Sequence, residues 1–151
     1  MVKVNLLENL KQDLESVVIR AGSAIMEVYE KDFEFNKKSD GSPVTEADKL
    51  SENIIIPALK DLCPDIPIIS EENSESHKIQ ATETFFLVDP LDGTKEFIKK
   101  NGEFTVNIAL IENILISMIV VTLILDIILK LETHETYLRP DLWFINRLKS
   151  M

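Results

Sequence analysis

The sequence predicts an α+β fold in which two helices pack on a mixed or antiparallel sheet. Apolar residues three and four positions apart predict one long amphipathic helix over residues 5–33. A second helix is predicted over residues 45–62, because "TEAD" is a capping-box pattern that precedes another apolar stripe. Short β-rich segments follow the two helices, and this order of elements is typical of the α+β class.

Each predicted helix has a face that we expect to be buried. The first face contains Leu6, Leu10, Leu14, Val17, Val18, Ala21, Ile25 and Val28. The second contains Leu50, Ile54, Ile55 and Leu59. Pro57 lies inside the second pattern and predicts a kink or an early end of that helix. The intervening "NKKSDGSPV" has the composition of a loop, and its two lysines are interpreted as solvated.

Three strands are predicted over residues 66–70, 84–89 and 104–111, from their apolar and β-branched composition. The run over residues 114–129 is almost wholly apolar but carries Asp126 and is short for a membrane span. We therefore interpret it as buried strand material and consider membrane association the weaker alternative. The predicted organisation is a first domain over residues 1–113 and an apolar tail over residues 114–151.

Composition restricts the classes of partner and compartment. The chain has 151 residues and a formal net charge of -10, which disfavours nucleic acid as a partner. A single cysteine, Cys63, excludes an internal disulfide and suits a reducing compartment. The N-terminus lacks the apolar core of a signal peptide, so we expect a cytoplasmic protein.

Acidic residues follow two of the predicted strands. Glu71 comes after the strand over residues 66–70, and Asp89 ends the strand over residues 84–89, with Asp92 three residues later. If these strands are parallel neighbours, the three carboxylates meet at one sheet edge, where Mg²⁺ would relieve their repulsion. The Leu91 carbonyl oxygen could add a neutral ligand. Gly93 and Thr94 offer backbone N–H groups to a phosphate if a helix begins at Thr94.

Local chemistry offers a plain alternative for each of these acids. An Asp-Pro-x-Asp-Gly run is also ordinary turn chemistry, which requires no metal. Asp48 is the fourth residue of the capping box, and locally that structural role is favoured. The spacing of the residues alone does not decide between these roles and a catalytic site.

The segment "FFLVDPLDGTKEF" resembles the signature of the inositol monophosphatase-like, magnesium-dependent phosphatases. "AGSAIMEVYE", "KKSDGSPVTEADKLSE" and "PDIPIISEEN" resemble other family motifs in the same order, and "KEFIKKNGEFTVNIALIEN" resembles the bacterial 3'(2'),5'-bisphosphate nucleotidase branch. The resemblance implies the N-terminal part of a layered α/β/α/β/α sugar-phosphatase fold. It also implies hydrolysis of adenosine 3',5'-bisphosphate to AMP, with Mg²⁺ as cofactor and a small phosphate ester as substrate.

The resemblance implies a role for each candidate residue. Glu71, Asp89, the Leu91 carbonyl and Asp92 are implied metal ligands. Asp48 and Thr94 are implied to orient and help deprotonate the attacking water. The backbone of Gly93 and Thr94 is implied to hold the phosphate.

The tail departs from the family pattern. The Trp-Asp-x-Ala-Ala motif of the family's second half is absent, and Trp143 lies in the unrelated "DLWFIN". We therefore expect a truncated chain, and a frameshift is one hypothesis for its tail. An inactive remnant that binds metal or phosphate without turnover is the main alternative, and an inositol-monophosphate-type phosphatase is another. Exposed apolar strand edges also predict self-association.

Overall fold

The structure is a computed structural model that describes residues 2–38, 41, 43–79, 84–112 and 117–121. Helix α1 spans Val2–Tyr29, so it begins earlier and ends earlier than predicted. Its interior face packs into the main apolar core. The residues of the predicted stripe that are buried there are Leu14, Val17, Val18, Ala21, Ile25 and Val28.

Helix α2 spans Glu46–Leu62, and Thr45 is its N-cap, which confirms the predicted capping box. Pro57 lies within the helix and does not end it, because α2 continues to Leu62. Leu50 is 37% exposed, so its prediction as a core residue is wrong. Two of the buried positions near the start of this helix belong instead to polar residues, Asp48 and Ser51.

A two-stranded antiparallel hairpin precedes α2. Strand β1 spans Phe35–Lys37 and strand β2 spans Pro43–Thr45. The sequence prediction of a plain loop over "NKKSDGSPV" is therefore wrong at both ends. All three β1 residues are exposed, so the segment lacks the apolar alternation by which strands are recognised.

The main sheet has the strand order β3-β4-β5-β6. These strands span Ile68–Ser70, Thr84–Asp92, Thr105–Glu112 and Ser117–Val121. Strands β3 and β4 are parallel, whereas β4–β5 and β5–β6 are antiparallel. The mixed sheet beneath two helices confirms the predicted α+β class and the parallel neighbours on which the site prediction depended.

Strand β6 agrees with the strand interpretation of residues 114–129, of which the rest lies outside the described residues. The candidate boundary after residue 113 remains a prediction. Within the described ranges, no helix is both long and apolar enough to cross a membrane.

An aromatic cluster packs the short helix α3, Thr94–Ile98, against α1. The Phe97 ring lies 5.2 Å from Tyr29, 4.8 Å from Phe33 and 5.1 Å from Phe104, measured between centroids. The Lys100 ammonium lies over the Tyr29 and Phe33 rings. These contacts pack the segment between β4 and β5, which contains the candidate residues Gly93 and Thr94, against α1.

Candidate active site

The parallel pairing of β3 and β4 places Glu71 beside the acidic end of β4. The Glu71 N–H donates to the Val88 carbonyl oxygen at 3.0 Å, which continues the ladder one residue beyond β3. Val88 directly precedes Asp89 in β4. The predicted neighbourhood of Glu71 and Asp89 therefore follows from backbone hydrogen bonding rather than from chance contact of side chains.

Strand β4 continues through Asp92, so the prediction that Asp89 ends the strand is wrong. The register with β5 shifts between the two aspartates: Asp89 pairs with Asn107, and Asp92 pairs with Thr105. Such an irregularity bends a strand and re-aims its side chains. Asp89 is fully buried and Asp92 is 6% exposed, which is costly for carboxylates unless charge or hydrogen bonds compensate.

Hydrogen bonds orient both aspartates. The Leu91 N–H donates to Asp89 Oδ1 at 3.2 Å, so the turn chemistry predicted as an alternative is present. The Asn107 side-chain amide donates to Asp92 Oδ2 at 2.9 Å across the sheet. The first contact is local, whereas the second joins two strands and is not required by a turn.

Asp48 has a second partner beyond the helix cap. Its Oδ2 accepts from the Thr45 N–H at 2.7 Å and from the Thr45 hydroxyl at 2.6 Å. Its Oδ1 accepts from the Thr94 hydroxyl at 3.1 Å, which joins α2 to the start of α3. Burial raises the pKa of Asp48 above its ordinary value, although the hydrogen bonds from Thr45 and Thr94 oppose this effect.

Gly93 makes the turn between β4 and α3. Its φ of 90° lies in the left-handed region, and a Cβ built there would lie 2.6 Å from the Glu103 carbonyl oxygen. Both facts require glycine at this position. Helix α3 begins at Thr94, as the sequence predicted.

Lys38 binds two acids at the end of β3, so its interpretation as a solvated loop residue is wrong. Its ammonium lies 3.0 Å from Glu71 Oε1 and 2.6 Å from Glu72 Oε1. Burial alone would lower the pKa of Lys38, but the carboxylates of Glu72 and Glu71 raise it above its ordinary value. Burial raises the pKa of Glu72 to about 7, against the opposing effect of Lys38.

The donor chemistry suits Mg²⁺, but the described residues do not contain an assembled cation site. Glu71, Asp89, Asp92 and the Leu91 carbonyl are all hard oxygen donors, which Mg²⁺ prefers. Among the described residues, no group of three or more His, Cys, Asp or Glu side chains has an arrangement that could hold a metal ion. Glu71 is held by Lys38 instead.

Comparison with known proteins assigns the family. The model of the inositol monophosphatase family matches residues 6–129. The chain belongs to this family. That match covers most of α1, all of α2 and α3 and every described strand, and it agrees with the resemblance of the sequence motifs.

Individual relatives of this chain include both curated proteins and solved structures. The chain is 56% identical over 95 residues to a 3'(2'),5'-bisphosphate nucleotidase CysQ from Salmonella typhimurium, covering 61% of this chain and 39% of that protein. A crystal structure of CysQ from Bacteroides thetaiotaomicron is 40% identical, with a TM-score of 0.55, covering 70% of this chain and 38% of that one. The extragenic suppressor protein suhB from Bartonella henselae is 26% identical, with a TM-score of 0.60, covering 69% and 41%. The chain thus spans about two fifths of the length of these relatives.

Sequence reasoning missed several residues that support the site. The Ser51 hydroxyl donates to the Pro90 carbonyl at 2.7 Å, which ties α2 to the β4 turn. The Ser70 N–H donates to Ser76 Oγ at 3.0 Å, and His77, to which the sequence gave no role, lies 2.7 Å from the Ser70 carbonyl. No local pattern signals these contacts, because most of them join separate elements.

Proposed function

We propose that the described residues form the metal-binding side of a magnesium-dependent phosphomonoesterase site. The proposed substrate is a nucleoside bisphosphate, adenosine 3',5'-bisphosphate, and the products are AMP and phosphate. The names of the CysQ relatives support this substrate class. The observation that carries the proposal is the hydrogen bond from the Thr94 hydroxyl to Asp48 Oδ1, since neither a helix cap nor a turn requires it.

The metal ligands in this proposal are Glu71, Asp89, the Leu91 carbonyl and Asp92. A bound Mg²⁺ supplies Lewis acidity toward a phosphate ester. The three carboxylates make the site anionic, which suits a cation but opposes a phosphate unless a cation is present. Glu71 also has to share its carboxylate with Lys38 or release it before it can act as a ligand.

Asp48 and Thr94 act on water in this proposal. Asp48 Oδ2 already accepts two hydrogen bonds from Thr45, so Oδ1 is the oxygen engaged by Thr94. The Thr94 hydroxyl has one proton and lies 3.1 Å from Asp48 Oδ1 and 3.2 Å from the Leu91 carbonyl oxygen. When it donates that proton to Oδ1, its oxygen lone pairs can accept a hydrogen bond from water. The raised pKa makes Asp48 a stronger base than an exposed aspartate. The pair can therefore orient the attacking water and assist its deprotonation.

Gly93 and Thr94 bind the phosphate in this proposal. They supply the backbone N–H groups at the entry to α3, before the intrahelical bonds of that helix begin. The Gly93 backbone packs so closely against Glu103 that a side chain would not fit, which restricts the conformations open to this turn. A turn held in one conformation presents its N–H groups to a phosphate at little entropic cost.

Phosphate release from adenosine 3',5'-bisphosphate tests the proposal. The assay uses the folded full chain with and without Mg²⁺, beside the Asp89→Asn variant. Asp65→Asn is the matched control, because Asp65 is exposed and lies outside the site. We expect Mg²⁺-dependent release that Asp89→Asn abolishes and Asp65→Asn leaves unchanged.

The competing functions give different results in the same assay. Mg²⁺-dependent binding of the bisphosphate without release would favour the non-catalytic remnant. Faster release from inositol monophosphate than from adenosine 3',5'-bisphosphate would favour the inositol-monophosphate type. Release that persists in Asp89→Asn would contradict the proposed site.

A further inference from the structure

Phe35 places an aromatic ring at the surface of the hairpin that precedes α2. It is 48% exposed, and the other residues of strand β1, Asn36 and Lys37, are exposed as well. The other phenylalanines that the structure describes are buried or half-buried. A single exposed apolar side chain is ordinary in a globular protein, so the argument for a role depends on where this ring lies.

Cross-strand pairing puts Phe35 beside the candidate site. Phe35 is the antiparallel partner of Thr45, and directly opposite residues of such a pair extend to the same face. The Thr45 hydroxyl donates to Asp48 Oδ2 at 2.6 Å, so the ring is one cross-strand step from a residue that contacts the proposed base. Strand β2 also contacts α3, which begins at Thr94. The exposed ring therefore lies at the rim of the site.

Lysines give the same hairpin a positive end. Lys37 is exposed and comes two residues after Phe35, so both side chains extend to one face of β1. Lys38 binds the acids at the end of β3, so this end of the hairpin also borders the site. In a chain with a net charge of -10, an exposed ammonium at the rim offers an anionic ligand a favourable contact. An aromatic ring and an ammonium on one face match a ligand that has both a flat base and a phosphate.

We propose that Phe35 is a specificity-determining residue on which the base of the nucleotide stacks, and that Lys37 binds the phosphate that remains in AMP. This inference rests on the proposed function, whose substrate has a base and two phosphates, but it requires no cation. Aromatic side chains stack on bases, and every base offers such a face. The ring would therefore favour nucleotides over phosphate esters that lack a base, without selecting among the bases.

Isothermal titration of the full chain with AMP and with ribose 5-phosphate tests this inference, because the two ligands share the sugar and phosphate and differ in the base. We expect wild type to prefer AMP. Phe35→Leu should bind AMP roughly fivefold more weakly or worse, the size expected from the loss of one base–aromatic stack, and should bind ribose 5-phosphate as before. Phe35→Trp keeps a flat ring and should retain the preference. Lys37→Gln should weaken the binding of both ligands by a similar factor.

Exposed residues elsewhere supply the matched controls. Ile19→Ala removes an exposed apolar side chain from α1, and Lys60→Gln removes an exposed ammonium from the last turn of α2. Neither should change the affinity for AMP. All four substituted positions are exposed, so we expect the variants to fold, which circular dichroism checks.

The outcomes separate base recognition from a structural role. Equal affinity of wild type for AMP and ribose 5-phosphate, unchanged AMP binding by Phe35→Leu, or equal weakening of both ligands in Phe35→Leu would overturn the role of the ring. Unchanged binding by Lys37→Gln would overturn the role of the ammonium.

Phosphate release by the same wild-type protein separates failure of this inference from failure of the proposed function. Release from adenosine 3',5'-bisphosphate without any preference for AMP would leave the proposed function standing and overturn this inference. A preference for AMP that depends on Phe35, without release, would support this inference and contradict turnover. A wild-type chain that binds neither ligand would overturn this inference.

Discussion

Replacing Gly93 by alanine should destabilise the fold more than the same replacement at Gly41. Both glycines have left-handed φ values, 90° at Gly93 and 85° at Gly41, and this conformation costs an alanine about 1–2 kcal/mol. At Gly41 a Cβ would have no neighbour within 4 Å. At Gly93 it would lie 2.6 Å from the Glu103 carbonyl oxygen, so backbone must move. Such overpacking adds about 1–3 kcal/mol.

The comparison of the two variants isolates the steric contribution to the loss of stability, because both variants force alanine into the left-handed conformation. Urea denaturation of wild type, Gly41→Ala and Gly93→Ala, followed by circular dichroism, gives the three free energies of unfolding. We expect the free energy of unfolding to fall by about 1–3 kcal/mol more in Gly93→Ala than in Gly41→Ala. Equal losses would show that the β4–α3 turn tolerates a side chain and that its close approach to Glu103 does not constrain the site.

Three further predictions concern polar contacts of the site. Thr45→Val should lower the free energy of unfolding by about 2–4 kcal/mol, because it removes a helix cap and a hydrogen bond to buried Asp48. Thr45→Ser keeps the hydroxyl and should lower it by less than about 1 kcal/mol. Similar losses for the two variants in urea denaturation would contradict this prediction. The Asp48 pKa is raised on folding, so its ionisation disfavours the folded state as pH rises above the ordinary aspartate pKa of 3.8. The free energy of unfolding of Asp48→Asn should therefore rise relative to that of wild type as pH increases, when both are denatured in parallel at a series of pH values. If the difference between the two proteins does not change with pH, the buried Asp48 carboxylate does not cause the pH dependence. Lys38→Met should lower the free energy of unfolding by about 1–3 kcal/mol, because it leaves the nearly buried Glu72 without its ammonium partner. A Lys38→Met/Glu72→Gln double variant should recover part of that loss. Additive losses in this double-mutant cycle would argue against the pairing.

The elements that the sequence predicted well have local signals. The apolar stripe of α1 and the capping box at Thr45 involve residues close together in the chain, so periodicity and spacing reveal them. The parallel pairing of β3 and β4 placed Glu71 beside Asp89 as expected. The hairpin β1–β2 was missed, because an exposed polar strand has no apolar pattern to detect.

The contacts that organise the site depend on distant parts of the chain. Lys38 and Glu71 are 33 residues apart, and Asn107 and Asp92 are 15 apart on different strands. The continuation of β4 past Pro90 depends on pairing with β5 and on the shift in register between the aspartates. Tertiary pairing determines such features, so single-residue propensities do not predict them.

Stabilisation of the chain by Mg²⁺ tests the central claim most directly, because it requires binding but no turnover. The measurement is the free energy of unfolding of wild type, Asp89→Asn and the exposed-site control Asp65→Asn, with MgCl₂ or with NaCl of equal ionic strength. A ligand that binds only the folded state adds about 2.7 kcal/mol at one hundred times its dissociation constant. We predict saturable stabilisation by Mg²⁺ of wild type and Asp65→Asn but not of Asp89→Asn. Absence of stabilisation in wild type, or equal stabilisation of Asp89→Asn, would contradict a metal site at the end of β4.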